Sequence, residues 1–459
     1  MCKCNDPRTS RFLFVLWDGG GSVPPQLVVA RRLVQRGHRV RMMAPRVLRH
    51  RVEATGCCFV PYVRAPEHDS RSREHDLLRD WEAWSSIGML RLVRDRLAVK
   101  PALPFAQDVL AELEREVADV VATDYLLLGP LFAAEKAGVR SASLFHQVYT
   151  LPARGLPVPG DGRLPPDGVL SRASNWVLTA AYRWLFDRGL PELNRTRSCL
   201  GLGKISRVFD SIYCADRSLV LTSSAFDFPC DRLPANVRYV GPQLDDADPA
   251  SRWVFPWPSV RSEPLVLVSL STTFQNQTPV IERLLTALAP LPIRVLVTVG
   301  PSLRPEAFQA PGNAVIEQYV PHLSVLPQAQ LVITHAGHGT VITALSCGVP
   351  LLCLPMGRDQ HDNAVRVAAR GAGIRASHTA SPGVLRRATQ QLLSNPKYKQ
   401  AALHMAEQIL REDPASLVTG ELEELALRST SSELARAALP GRERHHATQF
   451  APTTATFSR

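Results

Sequence analysis

VITHAGHGTVITALSCGVPLLCLPMGRDQHDNA, residues 332–364, reads as strand, turn, helix and strand, with a polar loop after the second strand. The first apolar run ends at His335, and Ala336 to Gly339 form a Gly-rich turn. A helix is expected from near Thr340, and VPLLCLP (349–355) returns as a buried strand. Alternation of this kind builds a parallel sheet covered by helices.

The same spacing has a chemical consequence. Backbone N–H groups at a helix start have no intrahelical partner and carry partial positive charge, so they suit a phosphate. Gly337 and Gly339 carry no side chain to block its approach, His335 can donate to a phosphate oxygen, and Thr340 offers a hydroxyl. The next loop holds Asp359, Gln360 and Asn363, whose carboxylate and amide groups suit sugar hydroxyls. Ligands of open α/β sheets sit outside the carboxyl ends of the strands, where both loops lie. A Gly-rich turn alone is often only tight packing; the full run is far more specific.

Around this segment the alternation continues. LVLVSLS (265–271), IRVLVTVG (293–300), AVIEQYV (314–320) and QLVITH (330–335) are strand candidates, and 379–410 and 413–429 read as helices. The first half has the same pattern. FLFVLW (12–17), RVRMMAP (39–45) and CCFVPY (57–62) are strands, separated by a turn DGGGSVPP (18–25) and two helical stretches. ADVVATD (118–124) and SASLFH (141–146) are further buried strands, and the charged, Trp-bearing residues 66–105 read as an insertion. A Pro/Gly-rich loop (151–168) precedes the aromatic stretch SNWVLTAAYRWLFDRG (174–189), which is either a packing helix or the wall of an apolar cleft.

GPQLDDADPASRWVFPWPSVRSEP (241–264) reads as an interdomain linker. Its Asp-x-Asp has no strand before it, so no metal site is expected there. The expected organisation is a disordered N-terminus (1–10), a first domain (11–240), the linker (241–264), a second domain (265–411), a C-terminal helix (412–428) and a disordered tail (429–459). The fold class is α/β, with two doubly wound Rossmann-like domains facing across a cleft.

A chain of 459 residues exceeds one ordinary core, and 45% hydrophobic with 21% charged residues is globular. The net charge of +11 comes with Arg greatly outnumbering Lys. The Arg residues are scattered and no aromatic-interleaved basic motif occurs, so nucleic acid is not an expected partner. Nine Cys without paired spacing suit a reducing compartment. The apolar run after the N-terminus is too short for a signal segment, and no stretch approaches the roughly 20 residues of a spanning helix. A cytoplasmic protein with at most peripheral membrane contact is expected.

The pieces T-H-x-G-x-G-T (334–340), G-V-P (348–350) and P-x-G-R-D-Q-x-D-N (355–363) together resemble the donor-binding signature of the family 1 glycosyltransferases. The likeness is greatest to bacterial enzymes that glycosylate macrolides and other natural products. It extends in looser form over 11–60, 118–146 and 237–411. The resemblance implies the two-domain GT-B fold and inverting, metal-independent transfer without a cofactor. The donor would be a UDP- or dTDP-sugar and the acceptor an apolar small molecule, natural product or lipid-like aglycone. It implies that Ser271 and Thr272 approach the pyrophosphate or sugar, that Tyr319 and Val320 flank the nucleobase, and that His322 begins a short helix. His335, Gly337, Gly339 and Thr340 would hold the diphosphate, and Asp359 and Gln360 the sugar.

Two positions depart from that pattern. Members usually place a catalytic His in the first turn, where this chain has Ser22, and a Glu for ribose where it has Thr343. The acid that normally partners the His corresponds to Asp124. Asp124 itself, Asp18 on the first turn and His146 after SASLF are the candidate bases, unless the acceptor is acidic enough to need little help. The missing His also motivates a second reading, a non-catalytic accessory protein that keeps sugar-nucleotide binding. A sugar-nucleotide epimerase on the same scaffold is a third, set aside because 355–363 resembles transferases.

Overall fold

The computed structural model describes residues 9–70, 76–83, 85–230, 232–245, 253–257, 262–270 and 275–437. Two all-parallel sheets organise it. The first contains β1 (Arg11–Val15), β2 (Arg39–Met43), β3 (Cys58–Val60), β4 (Val120–Asp124), β5 (Arg140–Phe145), β6 (Arg217–Val220) and β7 (Val237–Tyr239), in the order β3-β2-β1-β4-β5-β6-β7. The second contains β8 (Leu265–Ser269), β9 (Arg294–Thr298), β10 (Ala314–Glu317), β11 (Ala329–Thr334), β12 (Leu351–Cys353) and β13 (Gly373–Arg375), in the order β10-β9-β8-β11-β12-β13.

The central strands are apolar on both faces because helices cover both. Alternate residues of a strand point to opposite sides. Leu13, Val15 and Val121 therefore join one core cluster of the first domain while Phe12, Phe14 and Val120 join the other. In the second domain Leu265 and Leu267 face one layer, Val266 and Val268 the other. Strand order reverses between β1 and β4 and between β8 and β11, so each sheet opens a crevice at its carboxyl edge there. The first-turn residues 18–22, Asp124 and His335 all lie at these two switch points.

Several expectations need correction. Strands β6, β7 and β13 were not foreseen: RSLV, VRY and GIR are three or four residues long and Arg-bearing, too short to display a period. The helix expected from near Thr340 begins at His338, with Gly337 as its cap residue. Ser10 is not disordered, since its amide donates to His38 Nδ1 at 3.2 Å; residues 1–8 lie outside the described ones. The last helix runs from Pro414 to Ala437, beyond the expected 428, and 438–459 lie outside the described residues. That helix packs on the first domain, not on the second domain that precedes it in the chain. Val418, Leu422, Leu425 and Ala426 complete the first-domain core layer that contains Phe12, Phe14 and Val120.

The Asp-x-Asp of the linker (246–248) is also outside the described residues. Beyond it, Trp253 packs edge-on against Phe255 and Trp257, tying the linker to the second domain. The described cysteines are free thiols, and no helix among the described residues is long and apolar enough to cross a membrane.

Candidate active site

Both switch points open into one cavity of about 2010 Å³ between the domains. The second domain contributes the turn after β11. Thr334 ends the strand, and Ala336 takes a left-handed φ of 68°, which swings the chain into the helix His338–Ser346. Such a conformation costs a non-glycine residue energy and concentrates at functional sites. Gly337 is required for a specific reason: a Cβ there would lie 2.6 Å from His335 Nε2. At Gly339 a Cβ would meet nothing within 4 Å, because that position faces the cavity. His335, Gly337, Gly339 and Thr340 all line the cavity, and burial pushes the His335 imidazole down to about 4. The turn is thus a neutral His beside open helix-start amides, a cradle for an anion.

The other donor-side candidates are placed differently from one another. Tyr319 is 75% exposed and lines the cavity, whereas Val320 is buried in the core behind it. His322 opens the short helix His322–Val325 and lines the cavity. Ser271 and Thr272 lie outside the described residues. Thr343 spends its hydroxyl on Gly339 O at 2.7 Å.

Asp359 precedes the helix Gln360–Ala369 and accepts from Asn363 Nδ2 at 2.7 Å. Gln360 is 1% exposed. Its Oε1 accepts from the Met356 and Gly357 amides and its Nε2 donates to Gln275, so it holds the shape of its own loop. Arg358, with a left-handed φ of 51°, reaches across to Asp80 of the first domain at 2.5 Å. Asp362, buried, accepts from Gly160 N at 2.6 Å and Gly162 N at 2.9 Å, pinning the Pro/Gly-rich loop of the opposite domain. Sequence reasoning missed these three cross-domain bonds; their partners are 200 residues or more away in the chain.

On the first-domain side, the structure brings two of the three candidate bases together. His146, just past β5, places Nδ1 3.0 Å from Asp124 Oδ2 at the end of β4. The Asp124 carboxylate also accepts from Gln26 Nε2 at 3.3 Å and Leu126 N at 3.0 Å. His146 Nδ1 is buried with no aligned hydrogen bond, and the Asp124 charge beside it favours the proton on that nitrogen, which leaves Nε2 as the lone pair. Burial opposes charging His146, but the Asp124 charge, their close contact and Asp359 outweigh it and raise the imidazole above its usual 6.5. His146 lines the cavity, whereas Asp124 is fully buried behind it and is not part of the cavity wall. Ser22 lines the cavity too, with its Oγ buried and unpartnered. Asp18 stands apart, 3.9 Å from His68 Nε2, and its Oδ1 accepts from Gly20 N. His68 is a cavity residue that no sequence motif singles out.

Farther from the turn, Tyr182, Leu185 and Phe186 of the helix Val169–Asp187, with Phe209 and Ile212, make an apolar wall. The aromatic stretch is therefore cleft wall and packing helix at once.

Comparison with known proteins bears on the whole of this arrangement. Residues 282–425 match the family model described as erythromycin biosynthesis protein CIII-like, C-terminal domain. The chain is 30% identical over 413 residues to 4'-demethylrebeccamycin synthase of Lentzea aerocolonigenes, covering 88% of this chain and 96% of that one. It is 28% identical to the oleandomycin glycosyltransferase of Streptomyces antibioticus, covering 88% of each. The solved structure of the glycosyltransferase VinC in complex with dTDP superposes with a TM-score of 0.63 at 19% identity, covering 92% of this chain and all of that one (100%).

Proposed function

The chain belongs to the family 1 glycosyltransferases, and from that premise we propose that it is an inverting enzyme moving a sugar from a UDP- or dTDP-sugar to an apolar natural-product or lipid-like acceptor, with His146 as the general base. The observation that carries the reading is the His146–Asp124 pair on the wall of the cavity that also contains the helix start after His335. Asp124 fixes the imidazole with Nδ1 protonated and stabilises the cation that forms, leaving Nε2 for the substrate.

The reaction then balances simply. His146 Nε2 takes the proton of an acceptor hydroxyl as its oxygen bonds to the anomeric carbon. The bond from that carbon to the diphosphate breaks with inversion, through an oxocarbenium-like transition state. Charge appears on the departing phosphate oxygen, where the amides at the start of His338–Ser346 and a His335 N–H stabilise it. This electrostatic help is of the kind that lets such transfer proceed without a metal. Asp359 suits a sugar hydroxyl with the carboxylate oxygen not used by Asn363. The apolar wall suits a large acceptor, and the free cysteines suit a reducing, cytoplasmic setting. The accessory-protein reading loses its motive, because Asp124 has a His neighbour from just after β5 in place of one from the first turn.

The test is mass-spectrometric: UDP- and dTDP-sugars are offered with a mixed library of phenols, macrolactones and aromatic aglycones. A glycosylated product that disappears in His146→Ala, while UDP or dTDP still raises the melting temperature of that variant, is the expected result. Unchanged turnover in His146→Ala would remove the base from the proposal.

A further inference from the structure

One carboxylate of the first domain holds two loops of the second. Asp80 lies in the charged insertion 66–105, at the start of the short helical turn Asp80–Glu82, and its side chain is buried. Its Oδ2 accepts from Arg358 Nε at 2.5 Å and from Gln275 Nε2 at 3.1 Å. Gln275 belongs to the loop after β8 and Arg358 to the loop after β12. The two loops are also joined to each other, since Gln275 Oε1 accepts from Gln360 Nε2 at 2.9 Å. Asp80, Gln275, Arg358 and Gln360 all line the cavity.

Asp359 sits between these bonds. On one side of it Arg358 holds a left-handed φ of 51°, which a non-glycine residue keeps only where its surroundings impose it. On the other side Gln360 accepts from the Met356 and Gly357 amides, closing the turn 356–360 upon itself. The Asp359 charge reaches both His335 and His146, so this turn stands between the diphosphate cradle and the base. Asp80 is braced in its own domain: Arg96 donates to Leu78 O at 3.0 Å and to Glu82 Oε2 at 2.6 Å, on either side of it. The insertion then continues into the helix Ser86–Val93, whose Met89, Leu90 and Val93 also line the cavity. One segment thus carries part of the acceptor-side wall and a hold on the donor-side loops. Removing one partner of a buried ion pair is felt strongly, because the other charge is left uncompensated.

Resting on the donor site proposed above, we propose that Asp80 is a positioning residue: through Arg358 and Gln275 it sets the turn 356–360, and with it the Asp359 carboxylate, against the donor sugar. The sugar half of the donor site is then completed by the opposite domain, whereas the nucleotide half stands on the second domain alone. Asp80 acts through these two side chains and takes no part in proton transfer.

The experiment is titration calorimetry of wild type, Asp80→Ala, Asp80→Asn, Arg358→Ala and the double variant Asp80→Ala/Arg358→Ala. The ligands are UDP, dTDP, UDP-glucose and dTDP-glucose, and each variant is first checked for folding by its melting curve. Asp80→Ala should leave the affinity for the bare nucleotides unchanged while weakening the nucleotide-glucose compounds by about tenfold. Asp80→Asn, which keeps an accepting oxygen, should recover part of that loss. Arg358→Ala breaks the same bond from the other domain and carries the test if Asp80→Ala does not fold. The double variant should be no weaker than either single one, because both act through one bond. Equal weakening of nucleotide and nucleotide sugar, or no weakening of either, overturns the inference while the donor site stands. Losses that multiply in the double variant overturn it as well. Wild-type protein that ignores every one of the four compounds overturns the donor site, and this inference with it.

Discussion

His146 acts through a neighbour on the adjacent strand. β4 and β5 pair in parallel with Asp124 opposite Leu144, so the residue two places on from Leu144 arrives beside the Asp124 carboxylate. The carboxylate raises the imidazole above 6.5. A base must be neutral to accept a proton, so kcat/KM should fall as pH is lowered through this raised value, with its acid limb above that of an ordinary His. Asp124→Asn removes the charge that retains the proton, so the limb should move to lower pH, with kcat down by about 10²–10⁴-fold. A pH–rate profile of the two proteins checks both statements; a limb that stays in place dissociates Asp124 from the base. Both residues were visible in the sequence as single candidates at strand ends. Their pairing was not, because it depends on which strands are neighbours and on Gln26 of the first helix holding Asp124 in place.

At the scale of the element, the turn 334–340 was legible because its glycines serve two different needs in a short span. Gly337 clears the His335 ring and Gly339 clears the cavity. Gly337→Ala should therefore lower the melting temperature of the free protein. Gly339→Ala sits in helix with open space around its Cβ, and should stabilise the free protein by up to about 1 kcal/mol while weakening UDP or dTDP binding. Calorimetric melting with and without nucleotide separates the two. The loop after β12 was less legible. Its residues look alike as sugar ligands, yet Gln360 shapes the loop and Asp362 holds Gly160 and Gly162 across the cleft. Asp362→Ala forfeits two charge-assisted bonds, each worth roughly 1.5–3 kcal/mol. Limited proteolysis should then cut within 151–168 faster than in wild type; equal cutting would mean the loop is held by other contacts.

For the whole molecule, the two-sheet plan followed from the alternation of buried strands and helices, but the path of the last helix did not. Its apolar positions mark it as packed without saying against what. Val418, Leu422 and Leu425 enter the first domain's core, Glu421 pairs with Arg217 at 2.7 Å, and Glu423 with Arg36 at 2.6 Å. Burying a Val or Leu is worth about 1.5–3 kcal/mol each, against a typical total stability of roughly 5–15 kcal/mol. A chain ended at Asp413 should melt at markedly lower temperature, with the loss recorded by probes in residues 11–240; a truncated chain as stable as the full one would contradict this packing. On the ribosome, this arrangement inverts the order of completion. The half of the protein translated first must wait, with an apolar groove uncovered beside β4 and β5, until residues 414–426 have been made.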